Sequence, residues 1–113
     1  MHEMSIVMSI VDQAEKQAIK NNAQEITQIE LEIGELAGID WDSLEFAWKP
    51  ATKLTMLENT RRKIHRVKGR ASCIDCEHEF HKKEFIEACP KCGSFFHLIK
   101  AGKELRIKSL IIK

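Results

Sequence analysis

Cys73-Ile74-Asp75-Cys76 and Cys89-Pro90-Lys91-Cys92 are two C-x-x-C pairs with residues 77–88 between them. A C-x-x-C turn can bring both sulfurs to one side. Two such turns supply four thiolates for a tetrahedron, the geometry Zn²⁺ takes in structural sites. The spacer is shorter than the commonest double-pair pattern, yet long enough for one hairpin between two knuckles. Pro90 stiffens the second turn, and Gly93 permits a left-handed bend after its last ligand. The competing reading is a redox C-x-x-C. That chemistry normally uses one pair, with a thiol exposed at a helix N-terminus. Neither pair here begins a convincing helix.

Working outward, residues 68–103 hold all four cysteines, three of the five histidines and no long periodic apolar segment. The expectation is a small metal-held insert. With four thiolates available, His78, His81 and His97 are read as surface residues or outer neighbours of the metal. After the insert, KELRIKSLIIK (103–113) returns to strand chemistry. Before it, ITQIELEIG (26–34) alternates, with Ile29, Leu31 and Ile33 on one face and Gln28, Glu30 and Glu32 on the other. That is a half-buried strand ended by Gly34. A C-terminal strand most simply rejoins the sheet it begins.

Two helices complete the pattern. Ile6, Val7, Ile10, Val11, Ala14, Ala18 and Ile19 recur at helical spacing, which predicts a helix over 5–20. His2 and Glu3 fall at its N-terminal lip. Asp12 and Lys16 are placed for an i,i+4 pair, and Asn21 and Asn22 suit its end. Asp40 or Asp42 can cap a second helix whose stripe is Leu44, Ala47, Trp48 and Ala51. Pro50 should kink that helix or end it early. The expected fold is α+β: two helices packed on a small three-stranded sheet, with an inserted zinc-ribbon-like domain. The expected domains are 1–67 plus 104–113, and the insert 68–103.

Composition excludes several function classes. Of 113 residues, 18 are Lys or Arg and 17 are Asp or Glu. Near-zero net charge argues against a dedicated nucleic-acid binder. An apolar run long enough to cross a membrane is missing. The opening stretch lacks a basic n-region and is interrupted by Asp12, Glu15 and Lys16, so it does not read as a signal peptide. The expectation is a cytoplasmic protein whose cysteines are reduced, which favours metal chemistry over disulfides. One basic stretch stands out: TRRKIHRVKGR (60–70). It reads as an exposed strand whose charges block edge pairing. The alternative is a zinc-ribbon nucleic-acid binder using Arg61, Arg62, Lys63, Arg66, Lys68 and Arg70, and its mark would be salt-dependent binding.

The chain opens Met1-His2-Glu3. A free terminal amine, the next amide nitrogen and the imidazole of residue 2 can close fused chelate rings around one metal. The following amide can add a fourth nitrogen. Four nitrogens in a plane suit Ni(II) or Cu(II) and suit Zn(II) poorly. The plainer reading is a solvated His2 and a Glu3 favoured by the helix dipole.

Three features together resemble one family. They are the MHE start before an apolar helix, LEIGELAGID (31–40) after the first strand, and C-x-x-C followed by C-P-x-C-G at 89–93. In order and spacing the chain resembles the HypA/HybF family of hydrogenase nickel-incorporation proteins. The resemblance implies a carrier of Ni(II), not an enzyme. It would act in maturation of [NiFe]-hydrogenase with the GTPase HypB and the hydrogenase large subunit, and in some bacteria with a urease accessory protein. It implies a nickel site on Met1 (amine), His2 (imidazole and amide) and Glu3 (chiefly its amide), with Asp40 matching an acidic position near that site. It implies zinc on Cys73, Cys76, Cys89 and Cys92, and a monomer or homodimer. Two departures are visible: residues 61–70 are more basic than the family pattern, and the first knuckle lacks the Pro and Gly of the second.

Overall fold

The computed structural model describes residues 2–113. The fold is α+β. In chain order the elements are α1 (His2–Lys20), β1 (Ile26–Gly34), α2 (Trp41–Thr52), β2 (Arg61–Val67), β3 (Arg70–Cys73), β4 (Glu79–His81), β5 (His97–Ala101) and β6 (Leu105–Ile112). Two three-stranded sheets form, in the orders β2-β1-β6 and β4-β3-β5. The C-terminal strand does rejoin β1, and residues between β2 and β6 supply the second sheet. No helix among the described residues is long and apolar enough to cross a membrane.

The chain separates into two compact units: Met1–Leu31 with Ile39–Ile64 and Arg106–Lys113, and Glu32–Gly38 with His65–Leu105. The first is built on helical and strand periodicity. Ile6, Val7, Ile10, Val11, Ala14 and Ala18 are the buried face of α1. They share the core with Leu44 and Ala47 of α2 and with Ile26, Ile29 and Leu31 of β1. Ile19 departs from the predicted stripe; it is 67% exposed in the last turn of α1. Asn21 and Ala23 close that turn by donating to Gln17 O and Ala18 O, with Asn22 left-handed at φ 57°.

Two helix expectations change. α1 starts at His2, three residues before the predicted start, so His2 and Glu3 lie inside its first turn. The apolar stripe begins only at Ile6, and the polar His2, Glu3 and Ser5 ahead of it gave no periodic signal. α2 runs through Pro50 to Thr52 and is not ended by it. Proline removes one N–H near the end of the helix. The carbonyl it would have met belongs to Phe46, whose side of the helix is exposed, so water can satisfy it. The last turn is closed instead by the Thr52 hydroxyl, which donates to Trp48 O at 2.8 Å.

β2 is an edge strand, as its charges suggested. Part of its basic character is used internally. The Arg62 guanidinium lies 4.7 Å over the Trp48 ring and pairs with Glu45, with Nη2 2.8 Å from Oε2.

In the second unit β3 is central and antiparallel to both neighbours. Ser72 faces Glu79 on β4 and Leu98 on β5, and Cys73 faces His97, with an irregularity between Arg70 and Ala71. Ala71, Cys73, Phe80 and Cys89 form its small core, with Cys76 packed against it. The turn after β1 belongs to this unit. Leu36 N donates to Gly102 O at 2.7 Å and Gly34 N to Glu104 O at 2.8 Å. A Cβ at position 34 would lie 1.9 Å from Gly102 O, so this close approach needs glycine there.

Candidate metal centres

The four cysteines converge. One ligand atom from each of Cys73, Cys76, Cys89 and Cys92 lies within 4.8 Å of all the others. Cys73 Sγ is 3.5 Å from Cys92 Sγ, and Cys76 Sγ is 3.6 Å from Cys89 Sγ. Four thiolates held about 2.3 Å from one tetrahedral ion stand about 3.8 Å apart. The sulfurs are thus spread around the separation a metal would require. All four are free thiols.

The backbone builds both knuckles to one plan. In the first, Glu77 N donates to Cys73 O at 2.8 Å and Cys73 N to His78 O at 2.9 Å; in the second, Gly93 N donates to Cys89 O and Cys89 N to Ser94 O, both at 2.8 Å. Glu77 and Gly93 hold the same place, four residues after the first cysteine, and both are left-handed, at φ 63° and 80°. A glycine does this without strain and a glutamate does not. The missing Gly of the first knuckle is therefore a change of residue on an unchanged backbone frame. The knuckles are also tied to each other. The Ser94 hydroxyl donates to the Asp75 carboxylate at 2.5 Å, and Ile74 N donates to Phe96 O at 2.9 Å.

The sulfurs do not share negative charge evenly. Burial opposes the Cys89 thiolate, but the N–H groups of Cys92 and Lys91 at its sulfur bring the thiol down to about 7. The Ser94 N–H favours the Cys92 thiolate; hydrogen bonding with Cys73 and burial outweigh it and push that thiol up to about 12. At Cys76 the His78 N–H is likewise outweighed, by burial and by the hydrogen bond to Cys89, and the thiol is raised. One thiolate forms readily and the next is opposed by it, as expected of four sulfurs sharing one site. A divalent cation would remove that conflict by ligating all four as thiolates.

The three neighbouring histidines have other partners. His81 Nε2 lies 2.9 Å from Glu35 Oε1, and that hydrogen bond, with Gly69 N at 3.3 Å, holds the Glu35 carboxyl below the usual range against the opposing effect of burial. His97 lies between Lys82 and the Ser94 carbonyl. His78 stacks on Phe80, ring centroids 6.1 Å apart.

The second candidate centre is at the start of α1. His2 is exposed and Glu3 half-buried. The Asp40 N–H donates to Glu3 Oε2 at 3.2 Å. Asp40 is also the N-cap of α2; its Oδ1 accepts from Asp42 N at 3.1 Å and Ser43 N at 3.4 Å. So the loop after β1 delivers Asp40 to the first turn of α1. The amides of His2 and Glu3 belong to that first turn, where N–H groups have no intrahelical acceptor. Their protons can be displaced without cost to the helix. Met1, the other expected contributor, lies outside the described residues.

Residues 1–112 match the HypA family model, described as hydrogenase/urease nickel incorporation, metallochaperone. The chain belongs to the HypA family. It is 44% identical over 113 residues to the hydrogenase maturation factor HypA of Parabacteroides distasonis, covering 100% of this chain and 98% of that one. It is 39% identical to the same factor of Geobacter metallireducens, with full coverage of both. Its structure is similar to the solution structure of the Ni metallochaperone HypA from Helicobacter pylori, with a TM-score of 0.67 and 28% identity over 97% of this chain and 96% of that one.

Sequence reasoning missed Lys82, which is 3% exposed. No periodic signal marked it: β4 ends at His81, and three residues are too few for alternation to register. It also missed Glu77, whose place is fixed by counting four residues from Cys73 as Gly93 is from Cys89.

Proposed function

We propose that this HypA-family chain carries Ni(II) on a nitrogen site at its N-terminus and hands it on during hydrogenase maturation. The ligands are the Met1 amine, the His2 amide and imidazole, and the Glu3 amide. The Glu3 carboxylate fixes the first turn against Asp40, whose own carboxylate stands near the metal. The observation that carries this reading is the hydrogen bond from Asp40 N to Glu3 Oε2, which holds the first turn of α1 against the cap of α2. The site has an exposed imidazole and lies at a helix start, so its ligands can be exchanged one at a time. Nickel is cargo there, and no covalent step on a substrate is required: the protein acts as a carrier and not as an enzyme. Imidazole must be neutral to ligate and amide protons must leave, so binding weakens as pH falls.

Cys73, Cys76, Cys89 and Cys92 hold a structural Zn(II); the sulfur spacing and the all-thiolate donor set support that metal. The nickel site belongs to the 1–67 and 104–113 portion and the zinc site to 68–103. The expected partners are a HypB-type GTPase and the hydrogenase large subunit, with a urease accessory protein as a further partner, in the cytoplasm.

The test is nickel titration of untagged protein, followed by absorption spectroscopy for a planar d⁸ centre. The same titration is run on protein extended by one or two residues before Met1. A planar centre that survives the extension overturns the amine as ligand.

A further inference from the structure

Lys82 is a lysine buried to 3% exposure in a unit with a very small core. Burying an ammonium is costly unless opposite charge or good hydrogen bonds offset it. Its hydrogen-bond partners are uncharged: His97 Nδ1 at 3.0 Å and Glu87 O at 3.5 Å. Glu87 feels the ammonium, but its carboxylate is turned to the Lys83 N–H at 2.7 Å and the Glu84 N–H at 3.5 Å.

The contacts of Lys82 lead to the cysteine centre. An ammonium has only donors, so His97 Nδ1 accepts from it. That places the imidazole proton on Nε2, which donates to Ser94 O at 2.8 Å. The same carbonyl accepts from Cys89 N at 2.8 Å. A continuous hydrogen-bonded chain therefore runs from the buried charge to the backbone of one cysteine of the second knuckle. Phe80, edge-on to the His97 ring at 4.9 Å between centroids, shields it within the small core.

We propose that Lys82 is the internal counter-cation and positioning residue of the four-cysteine centre. The proposal rests on the reading that the centre takes a divalent ion on four thiolates. Four thiolates and one divalent ion leave two net negative charges in a partly buried site. The Lys82 ammonium offsets part of that charge. Through His97 and Ser94 it also fixes the turn that presents Cys89 and Cys92. Before metal binds, fewer of those sulfurs carry charge, and the Glu87 carboxylate is the main anion left to balance the ammonium. Lys82 thus opposes the metal-free fold and favours the metal-loaded one.

That difference in sign is the test. Lys82→Met keeps the length and removes the charge; Lys82→Arg keeps the charge. Each full-length protein is loaded with Co(II), its thiolate charge-transfer and d–d bands are recorded, and metal release to excess chelator is timed. Thermal unfolding is measured with and without metal. In Lys82→Met the Co(II) bands of a tetrathiolate should persist, while release accelerates on the order of tenfold, the usual effect of losing a partner of metal ligands. Its metal-free form should be as stable as wild type or more so. Lys82→Arg should release metal close to the wild-type rate. Release at the wild-type rate from Lys82→Met overturns the proposal. So does equal destabilisation of the metal-free and loaded forms, or failure of both variants to fold with metal, since each makes Lys82 a packing residue only. Wild-type protein without tetrathiolate Co(II) bands would overturn the reading of the centre itself, a result separable from any effect at Lys82.

Discussion

The cysteine centre and the start of α1 are built in opposite ways. At the cysteines the backbone does most of the positioning. Two matched turns, two ties between them and a buried chain from Lys82 hold four sulfurs within 4.8 Å of one another. Every proposed ligand is a side chain, and two of them, Cys73 and Cys89, are buried. At α1 the proposed ligands are mostly backbone nitrogens, the imidazole of His2 is exposed, and a hydrogen bond from Asp40 N to Glu3 ties the first turn to the cap of α2. A closed tetrahedron of thiolates suits an ion that stays. An open nitrogen site suits an ion in transit. The same chain can hold both because their ligand chemistries scarcely overlap: thiolates select zinc, and planar amide nitrogen selects Ni(II) or Cu(II).

The largest expected effect breaks the first half of that contrast. Replacing Cys89 with Ala, or stripping the metal with a strong chelator, should leave the second unit a weakly stable metal-free fold of low thermal midpoint, since its core consists of little besides Ala71, Phe80 and the cysteines themselves. Structural zinc supplies apparent folding free energy of about 10–16 kcal/mol in small zinc-held peptides. Hydrogen exchange should show loss of protection across β3, β4 and β5 while α1 and α2 stay protected. Full protection of β3 without metal would make the centre an accessory to a unit that folds alone.

The next effect breaks the second half. His2→Ala should abolish stoichiometric nickel binding, read by calorimetry on untagged protein, with zinc content and the thermal midpoint unchanged. Surface residues in a first turn contribute little to stability, so a large fall in the midpoint would show His2 to be structural.

Asp40 separates cap from charge. Asp40→Ala removes the cap of α2 and the anion beside Glu3, and should cost about 1 kcal/mol of stability. Asp40→Asn keeps an oxygen for the Asp42 and Ser43 N–H groups, so stability should hold while nickel affinity falls if the charge matters to the metal. Equal affinity in the Asn variant and wild type would reduce Asp40 to a helix cap.

How far the sequence announced these features depended on whether the signal was periodic. α1, β1, the return of β6 and the two C-x-x-C turns rest on repeats of 3.6, 2 or 3 residues, and all are present in the structure. β3 and β4 span only Arg70–Cys73 and Glu79–His81, too short for alternation to register, so the spacing between the knuckles told of room for one hairpin and not of its strands. The early start of α1 and the passage of α2 through Pro50 depend on what happens at helix ends, where tertiary contacts and water override local preference. Glu35 with His81, and Lys82 with His97, join residues far apart in the chain; no spacing encodes such pairs, and HKKE (81–84) reads as a solvated loop until the strand before it is known.

The smallest expected effect tests whether metal or backbone holds the first knuckle. Glu77 is exposed and left-handed where the second knuckle has Gly93. Its strain is about 1–2 kcal/mol for an L-residue in that region, and a glycine gives back about 0.5–1 kcal/mol in chain entropy. Glu77→Gly should therefore stabilise the loaded protein by about 1 kcal/mol or less, visible as a small rise in the thermal midpoint. Gly93→Ala should lower the midpoint by a similar amount, because open space surrounds that position and only its backbone angle resists a Cβ. Opposite shifts from matched positions would show that both knuckles demand the same left-handed bend and that the bound ion compels the first to supply it. A neutral Glu77→Gly would mean that Glu77 N–H bonded to Cys73 O is sufficient to hold the turn, and that the two knuckles are alike in their hydrogen bonds but not in their backbone strain.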